Sequence, residues 1–229
     1  MSSKRIRSFM VLMILCASTA GRPMAAQPAG RAIPYDPHVP IAARLVPGDV
    51  LVLVQKALTT PFVPSPTASE SFDAEIRRLA GYEAIATVSV SSTEGGLVDR
   101  GTWIRTRVDA QTIEVLKGGA RFTPAGSVQF WHDGGKLQMD TVIVSAGVFP
   151  EFRDGRRYLV FLRTDQSTDA FYAARAYQID ASGRLESVVS SNGESAWPLP
   201  SNLSGRPLGE VASALAVRIS ERGGAGRRH

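Results

Sequence analysis

The chain has 229 residues, 44% of them hydrophobic and 21% charged. That is a globular balance, which excludes disorder as the main state and fits one domain with an appendage. The net charge of +5 invites a nucleic-acid reading until it is located: Lys4, Arg5, Arg7 and Arg22 fall in residues 1–26, which hold no acid. Arg227 and Arg228 sit in a Gly-rich tail, so the body between is near neutral. No nucleic-acid partner is expected.

Residues 1–26 read as a secretory signal peptide. Lys4, Arg5 and Arg7 form the positive n-region, residues 9–17 the apolar stretch, and Ala20 and Ala26 end small-residue cleavage sites. The apolar run is too short to cross a hydrocarbon core of ~30 Å as a helix, so no stable membrane span is expected after cleavage. Leu15 precedes Cys16 where a bacterial lipobox requires a small residue, so this single cysteine is expected to leave with the signal. The processed chain then forms no disulfide, no cysteine-ligated zinc site and no cysteine nucleophile. All basic residues but Lys4, Lys56, Lys117 and Lys136 are arginine. The expectation is a bacterial exported protein, periplasmic or secreted.

Residues 27–67 form a Pro-rich accessory segment laid against the domain that follows, with one possible strand over 49–58. A domain over 68–222 then opens with a helix. Thr67-x-x-Glu70 has capping-box spacing and Gly81 marks the stop. Phe72, Ile76, Leu79 and Ala80 fall on one face, with Asp73, Glu75, Arg77 and Arg78 largely elsewhere. From Tyr82 to about Ser190 the pattern is β, beginning with the alternation Ala84, Ala86, Val88, Val90.

The next strand carries a phase change. Ile104, Thr106, Val108 and Ala110 hold the even positions, Ile113 and Val115 the odd ones, which implies a bulge or bend near 109–111. Residues 127–133 and 136–145 flank Gly134-Gly135 as an expected hairpin. Residues 158–162 (YLVFL) are apolar on both faces, as a strand covered on two sides requires. A last hairpin turns at 181–183. Pro207 opens a final helix, with Leu208, Val211, Leu215 and Ile219 on one face and Gly223 as its stop. Residues 223–229 form a basic tail. The fold class is mainly β: a small antiparallel OB-like barrel of five to six strands, with one preceding and one following α-helix.

Motifs for chemistry are weak. Gly134-Gly135-Lys136 lacks the remaining elements of a P-loop, and neither Gly-x-Ser-x-Gly nor His-Glu-x-x-His occurs. The histidines are His38, His132 and the terminal His229, and nothing positions a serine for a triad. His132, Asp133 and Asp140 make a conceivable cation site, against the plainer reading of a strand-end histidine and a turn aspartate. No catalytic residue, cofactor or metal is assigned. Trp103, Arg105 and Arg107 share one strand side opposite Ile104 and Val108, hence at least partly outward, and with Trp131 they are the candidate partner-binding face. The plainer reading of that set is a solvated face of a half-buried strand.

A family resemblance rests on residues 84–88 and 102–108, on Glu114-Val115-Leu116-Lys117-Gly118, Gly134-Gly135 and Phe149-Pro150-Glu151-Phe152, and on Gly155-x-x-Tyr158-Leu159-Val160-Phe161-Leu162. Over roughly 70–190 the chain resembles a group of exported, mostly uncharacterised bacterial proteins with an OB-like barrel. Their layout is similar to the domain of netrins and tissue inhibitors of metalloproteinases. The inhibitors act through a disulfide-tied N-terminal cysteine that this chain lacks, so the resemblance implies the barrel and not inhibition. Three functions compete: a non-catalytic binding or interaction module for an extracytoplasmic protein or glycan, an exported hydrolase, and a structural envelope component. The binding module is favoured, because chemistry needs convergent titratable groups in a cleft and binding needs only a shaped face.

Overall fold

The computed structural model describes residues 31–34, 36–47, 50–54, 70–119, 122–146, 149–165, 168–190 and 201–225. The signal peptide, Cys16, Thr67 and most of the Pro-rich segment lie outside the described residues. Among these residues ten strands and two α-helices run in the order β1 (Arg31–Pro34), β2 (Val50–Val54), α1 (Phe72–Leu79), β3 (Ala84–Val98), β4 (Trp103–Lys117), β5 (Ser127–Asp133), β6 (Gly135–Met139), β7 (Val142–Ala146), β8 (Arg157–Thr164), β9 (Phe171–Ile179), β10 (Leu185–Ser187) and α2 (Leu208–Ala225).

Five strands close a barrel. The order β9-β5-β4-β3-β8 returns on itself through a β8–β9 pairing, and β10 adds to the outer edge of β9. All barrel pairs are antiparallel except β5–β9. This is the small OB-like barrel of the expected class, with α1 before it and α2 after it.

Alternation explains the interior. Ala84, Ala86, Val88 and Val90 from β3 meet Val108 and Ala110 from β4, Phe130 from β5, and Tyr158, Val160 and Leu162 from β8. The other side of β8, Leu159 and Phe161, packs outside the barrel against Ile76 and Leu79 of α1 and Val211 and Leu215 of α2. All five residues 158–162 are fully buried. Both layers are therefore fastened to one strand that has no solvent side.

The helices sit where their caps allow. Ser71, rather than Thr67, caps α1: its Oγ accepts from Ala74 N at 3.3 Å. The C-terminal carbonyls of α1 are taken up by cations, Lys117 Nζ on Ala80 O (3.0 Å) and Arg222 Nη2 on Arg77 O (2.9 Å). Burial, then Arg222, pushes the Lys117 amine below its ordinary value. α2 runs past Gly223 to Ala225, beyond the expected stop.

The phase change in β4 resolves into bulges. Val88 pairs with Thr112 and Thr87 with Glu114, so Ile113 is the extra residue; a second register shift sets Ser91 opposite 109–110, on β3. Thr112 therefore continues the even inward phase, and Ile113 is thrown out to 47% exposure. The bend falls at the expected strand but Ile113 is not a core residue.

One expected pairing does not form. β5 belongs to the barrel, whereas β6 pairs with β7, and β7 with β2, in a second sheet ordered β1-β2-β7-β6. Gly134 (φ +86°) and Gly135 (φ +142°) carry the chain from one sheet to the other, and the hairpin turn is Asp140-Thr141. A Cβ on Gly135 would stand 2.1 Å from Thr106 Oγ1, which itself donates to Gly134 O at 2.8 Å. The accessory segment supplies two parallel strands of this sheet, β1 on β2 and β2 on β7.

Candidate functional site

The outer side of the barrel over β3, β4, β5 and β9 is laid out by register. Arg105 stands opposite Asp133, Arg107 opposite Trp131, and Asp109 opposite Gln129. Tyr172 continues the Trp131 row on β9, and Glu94 continues the Arg107 row on β3. Directly opposed residues share a sheet side, so one row reads Glu94, Arg107, Trp131, Tyr172. The alternate residues Thr106, Val108, Phe130 and His132 point inward and are buried.

The polar groups of this face hold one another. Arg105 Nε donates to Asp133 Oδ1 at 3.1 Å, and its guanidinium lies 4.9 Å above the Tyr172 ring. Burial works against the Arg105 charge, but Asp133, with Tyr172 and Asp99, outweighs it and raises the guanidinium above its ordinary value. Arg107 Nη2 pairs with Glu94 Oε2 at 2.6 Å, and its Nε donates to Asp109 Oδ2 at 3.2 Å. Asp109 also accepts from Gln129 Nε2 (2.8 Å) and Ser92 Oγ (3.1 Å). The Gln129 bond foremost, then Ser92 and Arg107, hold its carboxyl below the usual range against a smaller burial effect. Burial raises the Tyr172 phenol, with Arg105 opposing.

Three of the four expected face residues come together in this way, Arg105, Arg107 and Trp131. Trp103 does not. It is 3% exposed and packs in a third core with Ile41, Ile104, Val142, Val144 and Ala146. Alternation fails there because both sides of the hairpin end are covered: the second sheet takes one, and the short 3-10 turn Ile41–Arg44 joins the same core, anchored by Ile41 N on Gly101 O at 2.8 Å.

The conceivable cation site does not assemble. His132 is 4% exposed, stacked near Phe149 (6.4 Å, 14°) and tilted on Phe152 (5.5 Å). Its Nδ1 lies 3.1 Å from Asp133 O, and burial pulls the imidazole down to about 4. Asp133 turns to the opposite side of β5, onto Arg105, and Asp140 sits in the β6–β7 turn at φ +50°. Among the described residues no three His, Cys, Asp or Glu side chains are grouped to hold a metal ion.

One polar cluster has no counterpart in the sequence reading. Glu75, fully buried on α1, accepts at Oε1 from Ser201 Oγ (2.7 Å) and Tyr177 Oη (3.1 Å), and at Oε2 from Asn202 N (2.9 Å). Arg175 Nε donates to Tyr177 Oη at 2.8 Å, and Arg78 Nη2 lies 3.9 Å from the carboxylate. Burial pushes the Tyr177 phenol up to about 12. With both oxygens saturated by donors, this carboxylate ties α1 to β9 and to the loop before α2. Its partners stand 102 and 126 residues away, so no local signal marks it.

The chain matches no protein-family profile and no curated protein. Fold and face together define it as a closed OB-like β-barrel protein with a second sheet and a polar-aromatic strand face.

Proposed function

We propose that the protein is an exported, non-catalytic binding module that takes an extracytoplasmic partner, a protein or a glycan, on the outer β4–β5–β9 face. The observation that carries this reading is the row Arg107, Trp131, Tyr172 with Arg105 beside it. Arg105, Arg107 and Trp131 lie on the second and third strands of the five-strand barrel, the part that OB-like barrels commonly offer to ligands, and Tyr172 adds to them from the fifth. Tryptophan, tyrosine and arginine are also the side chains that dominate binding energy. Catalysis asks for unsatisfied titratable groups converging on a reacting atom. Here the arginines and carboxylates of the face satisfy one another, and His132 is turned into the core. Export is supported by the n-region, apolar stretch and small-residue sites of residues 1–26.

The test is a double variant, Trp131→Ala with Arg107→Ala, used as bait in an envelope extract. It should lose the partner that wild type captures, with its thermal midpoint unchanged. Undiminished capture by the double variant refutes the assignment of the face. Turnover of peptide, ester or glycan substrates by the purified protein would establish the hydrolase instead.

A further inference from the structure

We infer that the ligand of this face is a neutral oligosaccharide; the inference rests on the binding-module reading above and narrows it. A pyranose ring presents two chemistries at once, an apolar C–H side and a rim of hydroxyls that both donate and accept. The face offers the complement. Trp131 and Tyr172, both half-buried, stand on adjacent strands at one register, with the Arg105 guanidinium over the Tyr172 ring and Trp131 beside it as the stacking platform. Around them stand planar polar groups: Arg107 in the same row, the Arg105–Asp133 pair on one side, and Asp109 with Gln129 on the other.

Those planar groups are already fixed by their neighbours. Asp109 is held by three donors, and Arg105 is held by Asp133 and by the Tyr172 ring. Little side-chain entropy is therefore lost when they meet hydroxyls, which is where weak polar ligands usually forfeit affinity.

Charge argues against the other ligand classes. Arg105, Arg107 and Arg163, the last standing opposite Tyr172 on β8, are matched on the face by Glu94, Asp109 and Asp133, so a phosphate-rich or sulfated chain meets no excess of positive potential. A protein partner needs a desolvated apolar centre to its interface. Among the described residues the exposed large aliphatic side chains, Val46, Ile113, Ile143, Val189 and Val217, all lie outside the rows of Arg105, Arg107 and Asp109, so the two aromatics have no aliphatic surround.

The experiment is calorimetric titration of the purified protein with hexaoses of β-1,4-glucose, β-1,4-N-acetylglucosamine and α-1,4-glucose, and with a sulfated heparin hexasaccharide as the polyanion. At least one neutral hexaose should bind, with an affinity that holds within about twofold between roughly 50 and 500 mM NaCl. Trp131→Ala should weaken it about tenfold or more, and Trp131→Phe much less. Absence of binding by all three neutral hexaoses overturns the inference, as does binding that Trp131→Ala leaves unchanged or preference for the sulfated chain. If no hexaose binds but Trp131→Ala abolishes capture of a protein from an envelope extract, the binding face stands and the glycan falls. If neither probe depends on Trp131, both readings fall.

Discussion

His132 makes the stability of the barrel depend on pH between about 4 and 6.5. In the unfolded chain its imidazole takes up a proton as pH falls through its ordinary 6.5, whereas in the folded protein burial keeps it neutral down to about 4. Between those values the unfolded state binds the extra proton, so folding stability is fully present above pH 6.5 and falls as pH drops toward 4. Each pH unit costs at most ~1.4 kcal/mol, and the whole interval about 3 kcal/mol. A domain stable by roughly 5–15 kcal/mol feels that loss plainly. The carboxylates held low, Asp73, Asp109 and Asp180, work from the other end: their contribution is present above the ordinary 3.8 and is lost only below it. Urea unfolding followed by tryptophan fluorescence at several pH values between about 7.5 and 4.5 reads the effect, with His132→Phe as the control. Phenylalanine keeps a ring against Phe149 and Phe152 and removes the titration. By pH ~4.5 wild type should have lost roughly 2–3 kcal/mol more than the variant, whatever the variant's starting stability. Parallel losses in the two proteins would refute the argument that buried imidazole sets the slope.

Two further outcomes follow from the packing. Trp103→Ala should destabilise the protein by about 3–5 kcal/mol, because it empties the third core between Ile41, Ile104 and Val144; an unchanged urea midpoint would return Trp103 to the surface. Glu75→Gln keeps the shape but sets an amide N–H₂ against a site lined by the donors of Ser201, Tyr177 and Asn202. It should cost about 1–3 kcal/mol by the same unfolding assay, and a variant as stable as wild type would mean the cluster is not satisfied as described.

How much of this is legible in the sequence depends on whether a signal is local. The alternation of residues 84–90, the two-sided run 158–162 and the apolar faces of both helices report burial directly, and the structure places each as expected. The phase change in β4 announces a bulge, but not that small Thr112 turns inward and leaves Ile113 as the extra residue. Trp103 is misread because alternation assumes one wet side; a proline-rich stretch without periodicity brings Ile41 to the same core. Gly134-Gly135 signals positive φ, which serves a hairpin and a passage between sheets equally. Glu75 looks like any charged helical residue until Tyr177 and Ser201 are brought to it in space. Of the face, Arg105, Arg107 and Trp131 are readable from strand phase, whereas Tyr172 joins them only through the parallel β5–β9 pairing.

The binding face is tested most directly by hydroxyl-radical footprinting of the protein with and without its captured partner or a bound oligosaccharide, read by mass spectrometry at each aromatic side chain. Trp131 and Tyr172 should become protected together, while Trp103, already buried, should be unreactive in both states. Protection confined to another surface, or unchanged labelling of Trp131 and Tyr172 under saturating ligand, would contradict the assignment.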